Sequence, residues 1–333
     1  MIKDESYWNY ISIVSSSLES RMPRVKCKVL ISGVSGMIGA VLTDILLFSN
    51  RTYGTQYNVI GLGRSKSHAE DMFDEYEKSD YFKFVQHDIN QTIPEVGAVD
   101  YVIHAASNTH PVDYSGDPIG TITANVIGTN NLLEYAVSHG CRRFVFLSSV
   151  EIYGENKGDI ERFDEIYNGY INCNTLRAGY PESKRTGEAL CQAYGKKYNL
   201  DFVIPRLCRV YGPTMSLRDS KAIAQFIKNA ANDDDIVLKS PGDPAGFVQP
   251  QQHSVIEPEL GRHRLRHAET AAGHHHGAGF GRHCFGVERN ILRSQRLQQP
   301  PAEARTATMR SKLRSRLSSC RVSRPAHRTF YPA

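Results

Sequence analysis

The octapeptide SGVSGMIG, Ser32 to Gly39, constrains this chain more than any other stretch. Its glycines fall at Gly33, Gly36 and Gly39, directly after the apolar run KVLI and at the head of MIGAVLTDILLFSN, whose apolar spacing is helical. Glycines so placed let a strand turn tightly into a helix and let backbone amides come close to a ligand. The first helical turn, Met37 to Gly39, leaves amides that suit a pyrophosphate. An ordinary strand–helix turn is the plainer alternative. The strand before and the helix after favour dinucleotide binding.

The same rhythm repeats along the chain. YNVIGLG, YFKFVQHD, VDYVIHAAS, RRFVFLSS and LDFVIPRL are short apolar runs separated by helical stretches such as PIGTITANVIGTNNLLEYAVSHG and YPESKRTGEALCQAYGKKYN. Strands buried on both faces read as continuous apolar runs, and their alternation with helices implies parallel pairing. Six strands within residues 1–206 therefore predict a doubly wound, Rossmann-like α/β sheet. Residues 1–24 precede it, with Tyr7, Tyr10, Ile11, Val14 and Leu18 at roughly helical spacing. That spacing predicts a short amphipathic helix laid on the domain of residues 25–242.

Beyond Gly242 the composition changes. Residues 1–242 carry a net −4 and residues 243–333 a net +9, with fourteen arginines, one lysine and eight of the thirteen histidines in the second stretch. Few aliphatic residues are available there to offset the entropy of ordering, so a disordered or out-of-frame tail is expected and no packed domain. The segment GHHHGAGFGRHCF within it supplies His274, His275, His276, His283 and Cys284. No second cysteine pair faces them, so no metal site is expected. The seven cysteines lack a paired rhythm, and Cys27, Cys141, Cys173, Cys191 and Cys208 read as small apolar fillers or bystanders of a reducing compartment. Asp4 and Glu5 stand where a secretory segment would carry positive charge, and no run of 18 apolar residues occurs. A cytoplasmic protein without a membrane or nucleic-acid partner is expected; the arginine-rich tail lacks aromatic stacking positions and a binding fold.

Two further segments carry chemistry. After the second strand, GRSKS places Arg64 and Lys66 where an acidic residue would hold the ribose of NAD. Either they meet the 2′-phosphate of NADP, or they are solvated surface charges with Arg64 near the adenine. Asp88 ends the third strand, placed to accept an adenine amino group or to cap a helix. In YPESK, Tyr180 and Lys184 are four apart and share a helix face. A neighbouring ammonium favours tyrosinate and makes Tyr180 a candidate general base, while Ser149 in FLSSVEIYG can donate to the same substrate hydroxyl. Tyr-x-x-x-Lys alone is a common surface pair; the glycine turn upstream and the serine-bearing strand end give it weight.

These segments, with HAAS at His104 to Ser107, NVIGTNNLLE at Asn125 to Glu134 and RLCRVYGPTM at Arg206 to Met215, resemble the extended short-chain dehydrogenase/reductase family. Its members include NAD-dependent epimerases, dehydratases and decarboxylases of nucleotide sugars. The resemblance covers residues 28–242. It implies a bound NAD that oxidises a sugar carbon and later returns the hydride, with NADP open as the alternative. It assigns cofactor contacts to Gly33, Gly36, Met37, Ile38, Gly39, Arg64, Asp88, Ile89, Ala105, Ala106, Ser107, Asn125, Tyr180 and Lys184. Catalysis falls to Ser149, Glu151, Tyr180 and Lys184. A homodimer through the helices after HAAS and around Tyr180 is also implied.

Departures from the family pattern narrow the reaction. Dehydratases carry Asp-Glu after the hydroxyl residue; here Val150 precedes Glu151, which argues against water elimination. Glu151 together with Arg177 and Arg185 is most similar to UDP-glucuronate decarboxylases, with UDP-hexose 4-epimerase as the rival. Arg177, Arg185 and Arg209 are candidate substrate contacts, Arg209 replacing the usual asparagine. The insert YNGYINCNTL lies between Ser149 and Tyr180. After IVLKSPGD the family's sugar-domain continuation is missing, so an inactive cofactor-binding fragment is a further reading, and a shifted reading frame near Gly242 would explain the break. Resequencing the coding DNA checks this: a family-like continuation in another frame is expected, and confirmed in-frame code without one would contradict it.

Overall fold

The computed structural model describes residues 3–21, 26–108, 116–208, 210–215, 219, 222–236, 254–259 and 262–267. Among them nine strands form one sheet. They are β1 (Lys26–Ser32), β2 (Gln56–Gly63), β3 (Phe82–Gln86), β4 (Tyr101–His104), β5 (Arg143–Phe146), β6 (Ser148–Ser149), β7 (Phe202–Leu207), β8 (Ser254–Glu259) and β9 (Arg262–His267). The helices are α1 (Glu5–Arg21), α2 (Met37–Tyr53), α3 (Lys66–Phe73), α4 (Pro118–Ser138), α5 (Gly179–Tyr198) and α6 (Ala222–Ala231).

The spatial order is β3-β2-β1-β4-β5-β7, all parallel, with β6 also pairing parallel to β7. The order reverses between β1 and β4, and the crevice beyond the carboxyl ends of strands at such a point is where α/β folds take ligands. Alternate residues of each strand face opposite layers, as the pleat requires. Leu30, Leu62, Val102, Phe144, Phe146 and Ile204 pack toward α4 and α5. Val29, Ile31 and Val59 pack on the other face with Ala40 and Leu47 of α2 and Phe73 of α3. The apolar run RRFVFLSS is divided at Leu147 into β5 and β6, so seven parallel strands replace the six expected.

The N-terminal helix is present and lies on α2. Tyr7 and Ile11 are buried against Ile45, while Tyr10, expected on the same face, is turned to solvent. Its anchor is polar. Asp44 of α2 is fully buried and accepts from Lys3 Nζ at 2.9 Å, from Tyr76 Oη at 3.0 Å and from Tyr7 Oη. Lys3 also reaches Glu75 at 2.8 Å and lies over the rings of Trp8, Phe73 and Tyr76. Burial pushes the Asp44 carboxyl above its ordinary range, against the pull of Lys3 and the two hydroxyls. A buried carboxylate is tolerated only with such a full set of donors.

On the other side of the sheet, β8 pairs antiparallel with β7 and β9 with β8. This hairpin lies in the stretch where no regular structure was expected; its backbone groups pair with the edge of β7, an edge that otherwise presents free amides and carbonyls. The histidine-rich segment and the rest of residues 268–333 lie outside the described residues. No described helix is long and apolar enough to cross a membrane.

Candidate active site

The glycine turn joins β1 to α2 at the reversal of strand order. Gly33 has φ +69°, a conformation that costs other residues roughly 1–2 kcal/mol. A Cβ there would also lie 2.7 Å from the Ala106 Cα and amide nitrogen, so the end of β4 packs directly on the turn. At Gly39 a Cβ would overlap the Gly33 carbonyl. The amides of Ala105 and Ala106 donate to the Ser32 carbonyl and hydroxyl at 3.1 and 3.3 Å. No side chain caps α2 at Gly36, leaving the first-turn amides of Met37, Ile38 and Gly39 without intrahelical carbonyls. From the distant YGP segment, Thr214 Oγ1 donates to the Met37 carbonyl at 2.8 Å.

The other expected cofactor residues gather around this turn or are taken up by the scaffold. Arg64 is exposed at the end of β2, and the exposed Lys66 lies 3.5 Å from Glu70. Asp88 Oδ1 accepts the Asn90 amide at 3.0 Å, which makes it the cap of a turn and not of a helix. Ile89 is buried against Gly128 of α4 and belongs to the core. Among the described residues, three buried side-chain atoms have no hydrogen-bond partner: Asn90 Oδ1, Ser107 Oγ and Asn125 Oδ1. Buried polar atoms are almost always paired, so these unmet atoms, like the uncapped helix start, fit a polar ligand such as a dinucleotide.

Ser149 ends β6, Tyr180 opens α5, and Lys184 follows one turn later; all three are buried. Ser149 Oγ accepts the Glu151 amide at 3.2 Å, which leaves its proton to donate. Lys184 Nζ donates to the Leu147 carbonyl at 2.8 Å, the carbonyl exposed where β5 and β6 divide, and lies 6.0 Å from the centre of the Tyr180 ring. Burial lowers the Lys184 amine from 10.5 to about 7, with Glu188 pulling it upward.

The three candidate substrate arginines fare differently. Arg177 is exposed and forms no ion pair or hydrogen bond among the described residues. Glu151, half-buried beside Ser149, is also without a side-chain partner there. Arg185, expected at the substrate, instead donates to the Ile152 carbonyl at 2.7 Å, to Glu182 at 3.2 Å and to the Gly169 carbonyl at 2.9 Å. It pins the insert after Ser149, because that insert folds back as a loop closed by a Glu155–Tyr170 bridge. Arg209 lies outside the described residues.

Sequence reasoning missed a buried pair behind the site. Glu188 receives both Nε and Nη2 of Arg206, at 3.1 and 2.8 Å, and the Ser148 hydroxyl at 2.6 Å. Glu188 is four residues after Lys184 and shares its helix face, which was a usable signal. A charged Arg206 in an otherwise apolar strand was another.

An uncapped helix start at the switch point, with a Ser, Tyr and Lys set at the ends of the neighbouring elements, is the arrangement of a Rossmann-like dinucleotide-binding fold. The chain belongs to the NAD dependent epimerase/dehydratase family, which its sequence matches over residues 29–245. It is 30% identical over 223 residues to UDP-glucuronic acid decarboxylase 5 of Arabidopsis thaliana, covering 67% of this chain and 62% of that protein. It is 27% identical over 255 residues to UDP-glucuronic acid decarboxylase 1 of Xenopus tropicalis, covering 69% and 58%. The crystal structure of UDP-glucuronic acid 4-epimerase from Bacillus cereus in complex with NAD is similar at 25% identity and a TM-score of 0.52, covering 65% of this chain and 66% of that one. The chain thus spans about three fifths of the length of these curated relatives.

The lowered Lys184 amine predicts a stability signature. Between about pH 7 and 10.5 the unfolded chain holds the lysine proton and the native chain does not, so this group makes stability rise with pH across that window. Urea unfolding of the wild type and Lys184→Met is expected to show the wild type gaining on the variant from pH 7 upward. Parallel curves would contradict the buried, neutral lysine.

Proposed function

We propose that the chain modifies a nucleotide sugar through transient oxidation at C4, and that the reaction is decarboxylation of UDP-glucuronate. The carrying observation is Glu151, half-buried two residues after Ser149 with a carboxylate that has no partner among the described residues, while Val150 between them removes the acid a dehydratase needs. The relatives named as UDP-glucuronic acid decarboxylases support this choice.

In this reading the amides of Met37, Ile38 and Gly39 bind the cofactor pyrophosphate, Ser107 and Asn125 supply their unmet polar atoms, and Lys184 holds the nicotinamide ribose. Bound NAD supplies a hydride acceptor that later returns the same hydride, so the cycle is redox-neutral. Tyr180 Oη removes the proton from the C4 hydroxyl while Ser149 Oγ–H donates to that oxygen. Once C4 is a ketone, the carboxylate at C5 stands β to it, and the electron pair released with CO2 passes into the C4 oxygen. Ser149 and Tyr180 stabilise the enolate formed there by donating to it. Arg177, free of other partners among the described residues, binds the substrate carboxylate or a phosphate. NAD is the cofactor in this reading, since Lys66 lies by Glu70 and is not presented to a 2′-phosphate. The chain pairs as a homodimer through α4, where Ile119, Ile122 and Ile127 are exposed, and acts in the cytoplasm.

C4 epimerisation is the second reading, favoured by the likeness to the UDP-glucuronic acid 4-epimerase structure. A fragment that binds cofactor without turnover is the third, favoured by a family match that stops at residue 245, near the composition break at Gly242. Incubation with NAD and UDP-glucuronate, followed by product chromatography, separates them. CO2 and a UDP-pentose are the expected products. UDP-galacturonate without CO2 would indicate epimerisation, and unchanged substrate with cofactor bound would indicate the fragment.

A further inference from the structure

His104 is completely buried at the end of β4, between the glycine turn and α4. Its Nδ1 lies 2.8 Å from Ser32 Oγ and its Nε2 lies 3.0 Å from Thr129 Oγ1. The neighbours settle which atoms carry protons. Thr129 Oγ1 is 2.6 Å from the Asn125 carbonyl, which can only accept, so the threonine proton is committed there and Nε2–H must donate to the threonine oxygen. Nδ1 is then an acceptor and takes the Ser32 proton, while Ser32 Oγ accepts the Ala106 amide. The chain continues past Asn125, whose Nδ2 donates to Ser183 Oγ at 3.0 Å, and Ser183 donates to the Tyr180 carbonyl at 2.8 Å. One ordered series of bonds runs from the turn where β4 meets Gly33 to the first turn of the Tyr180 helix.

We propose that His104 is a positioning residue: its neutral, Nε2-protonated ring is the tie that holds the glycine turn and the Tyr180 helix in register. This rests on the reading that the turn holds NAD. A second ring proton would leave the Ser32 hydroxyl without its acceptor and place a charge in an apolar layer beside Phe146, 5.5 Å away. Burial and the nearby Lys184 both hold the imidazole well below the usual histidine range. Ser32, Thr129 and Phe146 add no charge around it.

The test combines NMR with coenzyme binding on the full chain. In 15N-histidine-labelled protein, with the ring assigned by its loss in His104→Gln, the proton is expected on Nε2 and unchanged from about pH 5.5 to about 8.5. NADH affinity is expected to fall roughly tenfold in His104→Met, similar in bulk but without the donor, the equivalent of about 1.4 kcal/mol. His104→Gln, which keeps a donor and an acceptor, is expected to bind within about threefold of wild type. Thr129→Val leaves the ring in place and removes its acceptor, so it is expected to weaken NADH as His104→Met does, and it serves should the methionine variant fail to fold. A proton on Nδ1, a ring that titrates in this range, or undiminished NADH binding by both His104→Met and Thr129→Val would overturn the proposal. The ring signature is read without any sugar, so a chain that shows this pattern yet makes no UDP-pentose fails the proposed decarboxylation alone.

Discussion

The contact on which the structure depends is the backbone-to-backbone approach of Gly33 to Ala105 and Ala106. Side chains normally keep a strand-end turn away from its neighbour, and here there is none. The β1 turn therefore sits on the end of β4, the two amides of β4's extension bond to Ser32, and α2 starts with its amides aimed beyond the sheet. A ligand site at the switch point follows from that single steric permission.

The set of Ser149, Tyr180 and Lys184 is fixed from the opposite side by polar groups. Dividing the apolar run at Leu147 frees a carbonyl for Lys184, and burial of the amine near the Tyr180 ring brings its titration to about 7. Behind it, Glu188 gathers Ser148 and Arg206, so β6, β7 and α5 are tied by a paired buried charge that would be costly to leave half-made. Asp44 does the same for the N-terminal helix through Lys3, Tyr7 and Tyr76.

Much of this was legible from local pattern. The glycine spacing, the apolar runs and the four-residue step from Tyr180 to Lys184 each carry their meaning within a few neighbouring residues, and the parallel sheet followed. What stayed hidden depends on partners far along the chain. Lys3 meets Asp44 across 41 residues and His104 meets Ser32 across 72. Arg185 suggests a substrate contact only through the resemblance to UDP-glucuronate decarboxylases; the Ile152 carbonyl just after Ser149 and the Gly169 carbonyl of the loop that folds back claim it instead. The paired strands β8 and β9 carry no sustained period of their own, and their pairing is set by the edge of β7.

The central claim is that the glycine turn, as folded, is a working coenzyme site in this chain. Calorimetric titration of the full-length protein with NADH tests it most directly, alongside Gly33→Val, whose branched side chain would meet the Ala106 backbone at a φ of +69°. The account predicts one NADH bound per chain of wild type and none by the variant, which also unfolds at a lower temperature. A folded wild type that binds no NADH, or a variant that binds it equally well, would contradict it.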